Sequence, residues 1–168
     1  MAEIVKVFRD RVPALRFIGK EYADFSGWGE WFQNAWFDRV ESCMGGVGAV
    51  TKLWKNGDGY AGLERRAEDG ALLSYHIGMF APPDTVAPQG FLAMDFPEGS
   101  FGTVWIRGRE DEVHDAIPLC LPALLDAGFV PKRDREGAIL SFENGLCPRF
   151  TTPDGEGKVI LDYVYLIE

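Results

Sequence analysis

Apolar and polar residues alternate with period two from Ile4 to Phe8 and again from Ala14 to Gly19, which predicts one long strand, kinked or bulged at Pro13. From Gly27 to Met44 the step lengthens to three and four residues. Trp28, Trp31, Phe32, Ala35, Trp36, Val40 and Cys43 then form the apolar stripe of an amphipathic helix, with Ser26 at the N-cap and Gly45, Gly46 and Gly48 ending it. Beyond a loop of Asn56, Gly57, Asp58 and Gly59, alternation returns over Tyr60 to Arg66 and Ala71 to Phe80. The Glu68-Asp69-Gly70 turn between these runs is a strong hairpin signal. Pro82, Pro83 and Pro88 interrupt the pattern. Gly90 to Phe96 and Ser100 to Arg107 then flank Pro97-Glu98-Gly99 and predict a second hairpin. Helical spacing resumes from Glu110 to Ala127 through Val113, Ala116, Ile117, Cys120, Leu121, Leu124 and Leu125, with acids at its start and Gly128 at its end. Pro118 and Pro122 are expected to kink or split that helix, and Ala138 to Phe142 and Val159 to Ile167 read as closing strands.

Setting aside the strand near Phe91, this order is strand-helix-strand-strand twice over, with module one at about 1–80 and module two at about 88–168. Neither a composition shift nor a linker separates them, so the expectation is a single domain over 1–168. Its class is α+β, with the two pseudo-symmetric modules forming a mainly antiparallel sheet carrying two main helices.

Composition narrows the function classes. At 46% hydrophobic and 26% charged residues, the chain is neither disordered, collagen-like nor membrane-spanning. A net charge of −9 without a basic patch argues against direct nucleic-acid binding and favours cationic ligands through long-range potential. Met1 to Asp10 lacks the apolar stretch of a secretory signal, so a cytoplasmic location is expected. Cys43, Cys120 and Cys147 are odd in number and widely spaced, which fits small buried hydrophobes better than disulfides or zinc ligands. His76 and His114 lack metal spacing, and His76 is expected half-exposed in a strand; no metal and no cofactor is implied. No glycine-rich phosphate loop links a strand to a helix.

The aromatic share, 13%, is high. Trp31, Phe32 and Trp36 have the helical spacing of residues that face a sheet. Trp105 shares a strand face with Phe101 and Thr103, opposite Val104 and Ile106; if the aliphatic face meets the helices, Trp105 faces outward or into a cleft. In the same way Ile139, Ser141 and Glu143 lie opposite Leu140 and Phe142, and Tyr163 and Tyr165 share a face of the last strand. A carboxylate ringed by aromatics is a recipe for binding a lipophilic cation, because ring faces and the acid both attract positive charge.

The chain resembles the GyrI-like small-molecule-binding domains, relatives of the effector-binding domains of bacterial multidrug-sensing regulators. The resemblance rests on Arg16-Phe17-Ile18-Gly19 leading to Tyr22, Gly59-Tyr60, Tyr75-His76-Ile77-Gly78, Phe96-Pro97-Glu98-Gly99 before Phe101, Leu121-Pro122 with Gly128-Phe129, and Phe142-Glu143 before the last strand. It implies two strand-helix-strand-strand (SHS2) modules about a ligand cleft, with Glu143 as the pocket carboxylate. Tyr22, Trp36, Tyr75, Trp105, Tyr163 and Tyr165 are then expected as pocket walls. Asn144-Gly145 stands where the family often has a tyrosine, and Pro118 interrupts the second helix. With no helix-turn-helix segment, the chain reads as a stand-alone member. Three functions follow: binding of lipophilic, cationic or aromatic small molecules; hydrolysis of cyclopropane-containing electrophiles, with Glu143 catalytic; or interaction with a protein partner. A homodimer through Trp28 and Trp54 is a further expectation.

Overall fold

A computed structural model describes residues 1–46, 48–57, 59–145 and 147–168, so Asp58 of the expected loop lies outside the described residues. The strands are β1 (Glu3–Val12), β2 (Leu15–Tyr22), β3 (Tyr60–Arg66), β4 (Leu72–Ala81), β5 (Leu92–Phe96), β6 (Gly99–Gly108), β7 (Ile139–Gly145) and β8 (Val159–Ile167). They form one 8-stranded sheet in the order β1-β6-β8-β7-β3-β4-β2-β5, with every neighbouring pair antiparallel. The α+β class and mainly antiparallel sheet expected from the sequence are observed.

The 60s–70s hairpin forms as expected, with Gly70 at φ 87° in its turn. The N-terminal alternation forms β1 and β2, one long strand broken at Pro13 as expected, whose register runs on through the break, from Phe8 opposite Thr103 and Val12 opposite Gly99 to Leu15 opposite Phe96 and Gly19 opposite Leu92. β1 pairs with β6, whereas β2 lies between β4 and β5. The expected second hairpin is absent: β5 pairs with β2 and β6 with β1 and β8, so Pro97-Glu98 does not turn the chain back but continues it from β5 into β6 beside the break at Pro13. Alternation fixes which residues share a face but not which strand is the neighbour, and a short turn between two such runs does not require them to pair.

Both predicted helices are divided. The first comprises a 3-10 turn (Phe25–Gly27), α1 (Trp28–Gln33) and α2 (Trp36–Met44). Asn34 ends α1 by directing its side-chain amide to the Glu30 carbonyl at 2.8 Å, and Ala35 follows in the left-handed region at φ 51°. The N-terminal cap is Asp24, which accepts from the Ser26 N–H at 2.9 Å; Ser26 itself does not cap. A short α3 (Gly48–Thr51) follows. The second helix is a 3-10 run (Val113–Leu119) holding Pro118, continued by α4 (Cys120–Asp126), as the two prolines predict. A last turn, α5 (Pro148–Thr151), precedes β8.

Apolar side chains are buried on both faces of the sheet. Under the helices, Ile18, Tyr75, Ile77 and Met79 pack against Trp31, Phe37 and Val40, while Val104, Ile106, Leu161 and Tyr163 pack against Val113, Ala116, Cys120 and Leu124. The other face gathers Phe17, Phe80, Phe96, Phe101 and Phe142 around Trp54. Much of the aromatic excess is therefore a second core. Trp54, only 4% exposed, is sealed there and offers no dimer surface. His76 is buried and not half-exposed, and Cys43 is exposed although Cys120 and Cys147 are buried as expected. Among the described residues no helix is long and apolar enough to cross a membrane, and no group of three or more His, Cys, Asp or Glu is arranged for a metal ion.

Candidate functional site

The inner strands β7, β3 and β8 carry the site, and their register defines it. Glu143 lies between Gly62 and Tyr163, and Ser141 between Glu64 and Tyr165, all on the helix-bearing face because paired residues share a face. Above these rows the two helical segments stand apart and leave a cleft. Phe25, Trp28 and Phe32 wall it from the first segment, and His114, Ile117 and Pro118 from the second, with Phe150 and Leu161 at one end. Its two adjoining parts measure about 550 and 310 Å³.

Glu143 is the floor of this cleft, with its side chain 15% exposed. Its Oε1 accepts from the Tyr75 hydroxyl at 3.3 Å, and its Oε2 lies 3.3 Å from His114 Nε2. Trp28 Nε1 donates to the Tyr75 hydroxyl at 2.8 Å, so indole, phenol and carboxylate form one chain. Gly62 makes this chain possible, since the Tyr75 hydroxyl occupies the place a Cβ would take there. Beside it the buried Glu64 is held by Arg66 and by the Tyr163 hydroxyl at 3.2 Å, and that hydroxyl also meets Ser141 Oγ at 3.0 Å.

Burial raises the Glu64 carboxyl above its ordinary range, although Arg66 pulls the other way. Burial, with Glu143 and Glu64 adding to it, lifts the Tyr75 hydroxyl well above its usual value, and Tyr163 is lifted by burial and Glu64. Both phenols are thus protonated donors at neutral pH. The hydrogen bond to Glu143 raises the His114 imidazole despite partial burial, with Glu110 contributing. Following the His114 ring protons by NMR across pH is expected to give a midpoint above the ordinary histidine value of about 6.5, falling back in Glu143→Gln. An unchanged midpoint in that variant would break the link between the two side chains.

Of the residues singled out in the sequence, Glu143 lines this cleft and the fully buried Tyr75 bonds to it from beneath, while Tyr163 is in register with Glu143 but borders the adjoining cavity. Tyr165 borders the same cavity together with Arg66, Ile117 and Pro118. Tyr22 and Trp36 lie apart from them, in a depression of about 520 Å³ with Lys20 and Phe91. There Tyr22 donates to Glu30 at 2.9 Å, and burial with Glu30 pushes its hydroxyl up to about 12. Trp105 is corrected as a pocket wall. It sits on the opposite face in register with Asp162, packed edge-on to Phe8 at 5.3 Å under the Lys6 and Arg149 cations. The alternation argument put it opposite the helices correctly, but the cleft is on the helix side.

Sequence reasoning missed Trp28, Gly62, Glu64, Arg66 and His114 as site residues. Two signals were available: Gly62, Glu64 and Arg66 alternate with the buried Ala61 and Leu63 in a central strand, and His114, Ile117, Pro118 and Leu121 share one helical stripe.

No protein-family model and no curated protein matches the chain. Among solved structures the chain is similar to that of SAV2435 bound to tetraphenylphosphonium, with 16% identity, TM-score 0.51, and coverage of 98% of this chain and 94% of that one. It is also similar to a protein from Staphylococcus aureus MU50 described as a candidate bacterial transcription regulation protein, at 14% identity, TM-score 0.53 and coverage of 99% and 98%. A hydrolase encoded by lin2189 from Listeria innocua is similar at 14% identity, TM-score 0.53 and coverage of 97% and 92%. These likenesses extend over nearly the whole length of each chain and establish a shared fold.

Proposed function

We propose that the cleft over Glu143 binds lipophilic cations, as in a GyrI-like small-molecule-binding domain. One observation carries the reading: Glu143 is a mostly enclosed carboxylate among aromatic walls, and its one ion-pair partner among the described residues is His114. A neutral imidazole leaves the carboxylate's charge uncompensated, and a bound cation supplies the compensation in a site that excludes water. The fold shared with a protein bound to tetraphenylphosphonium supports the reading. Protonated His114 competes with such a ligand, so cation affinity falls as pH drops through the raised His114 titration.

Titration with tetraphenylphosphonium, followed by tryptophan fluorescence with Trp28 in the cleft wall, tests this. Glu143→Gln keeps the shape and removes the charge, and is expected to weaken binding by about 1–3 kcal/mol, roughly fivefold to more than a hundredfold. Equal affinity in wild type and variant, with the far-UV spectrum unchanged, would remove Glu143 from the site.

A second reading, hydrolysis of strained cyclopropane electrophiles, is favoured by the donors and acceptor converging at Glu143. The carboxylate would take a proton from water as the oxygen attacks a ring carbon, the strained C–C bond would break, and a phenol would give its proton to the carbon that leaves with the bonding electrons. Product formation no faster than in buffer, across such compounds, would leave binding alone.

A further inference from the structure

The cavity beside the Glu143 cleft has different chemistry. Along β7 and β8, the Glu143–Tyr163 row is followed by the Ser141–Tyr165 row and then by Ile139, with Arg66 opposite Ile139 on β3. Successive rows on one face are about 7 Å apart. Over the second and third rows lies a cavity of about 330 Å³, lined by apolar Ile117, Leu121 and Ile139 and by the polar Arg66 and Tyr165. It meets the cleft along Arg66, Ile117 and Pro118, which border both.

The polar groups here are donors with capacity to spare. Arg66 gives its Nε to Glu64 and its Nη1 to the Gly70 carbonyl at 2.9 Å, and the guanidinium also lies against the Tyr163 hydroxyl. The Tyr165 hydroxyl makes no hydrogen bond to a described residue, although the residue is 5% exposed, and this hydroxyl is not among the sealed polar atoms. Burial keeps that phenol protonated. The neighbouring acids are engaged elsewhere: Glu64 is matched by Arg66 and Tyr163, and Glu68 at the mouth is 85% exposed and 3.4 Å from Arg133. A guanidinium edge and a phenol O–H facing one apolar cavity suit a carboxylate, which accepts charge-assisted bonds from both.

We infer that Arg66 and Tyr165 form an anion subsite, so that the preferred ligands are lipophilic cations that also carry a carboxylate about 7–10 Å from the positive centre. This rests on the reading of Glu143 as the cation's counter-charge. It makes Arg66 and Tyr165 specificity residues, selecting among cations that the aromatic walls alone would accept alike.

Two matched probes separate the claims: pentyltriphenylphosphonium, and (4-carboxybutyl)triphenylphosphonium, whose chain ends in a carboxylate. Calorimetric titration at pH 7.5 is expected to show the carboxylated probe binding at least about tenfold tighter to wild type. Tyr165→Phe, which removes one oxygen from a ring that keeps its packing, is expected to cut that preference several-fold and leave the pentyl probe within about twofold. Arg66→Lys, which keeps a charge beside Glu64 but loses the planar fork, is expected to cut the preference as well, read as the ratio of the two affinities because Arg66 also borders the Glu143 cleft. Equal affinities for the two probes in wild type, or a preference that survives both substitutions, overturns the subsite while the cation reading stands. Failure of both probes to bind overturns both.

Discussion

Replacing Arg149 with methionine is expected to destabilise the protein by about 3–5 kcal/mol, and so to lower the melting temperature by roughly 6–20 °C. The reason is Asp162, which is 1% exposed on β8 and whose carboxylate receives two bonds from the Arg149 guanidinium, at 3.0 and 2.6 Å. The pair secures α5 to the sheet. Without the arginine, a charge that cannot reach water has lost its counter-ion, which costs far more than a surface pair is worth. Burial already holds the Asp162 carboxyl above its ordinary value despite Arg149. Losing that cation raises it further, so the folded variant binds a proton more tightly than its unfolded chain does. Stability of the variant therefore falls as pH rises from about 3.9 through the folded-state value, and the deficit against wild type narrows on acidification. Urea unfolding at pH 5 and pH 7 measures this. A deficit that is small, or equal at the two pH values, would mean that water reaches Asp162.

Gly62→Ala is expected to lose cation binding and to cost about 1–3 kcal/mol of stability. A Cβ at this position collides with the Tyr75 hydroxyl and lies 3.1 Å from Glu143 Oε1. The Tyr75 ring is completely buried beneath the first helical segment, so it has no vacant space into which to retreat. The hydroxyl must leave Glu143 or the strands must spread. A double-mutant cycle distinguishes the two: in a Tyr75→Phe background the collision partner is gone, and Gly62→Ala should cost clearly less stability there. Identical penalties in both backgrounds would locate the strain in the backbone.

Element type was largely legible in the sequence, and pairing was not. Period-two runs announced β3, β4, β6, β7 and β8 because each strand buries one face or both, and Pro118 announced the break in the second helical segment. That β1 and β2 pair with β6 and β5 in one register running through the breaks at Pro13 and Pro97 is a long-range match that local alternation does not encode. For the site, Glu143 stood out as an acid among inward-facing residues. Its companions did not: His114 lacks any local motif, Gly62 matters by what it omits, and Glu64 and Arg66 belong to the site only because β3 is central in the sheet. Trp105 shows the opposite failure: its face was legible, but the cleft lies on the other side of the sheet.

The long chain separation between β1 and its partner β6 bears on how the protein is made. β1 is synthesised first, yet its partner β6 follows roughly ninety residues later, as the pairing of Val12 with Gly99 requires. During translation β1 therefore has no native strand beside it, and an unpaired strand of this length is a template for wrong association. Its sequence is suited to that wait: Glu3, Lys6, Arg9, Asp10 and Arg11 place charges of both signs along it, which keeps the nascent segment solvated and discourages pairing with a second copy until β6 emerges.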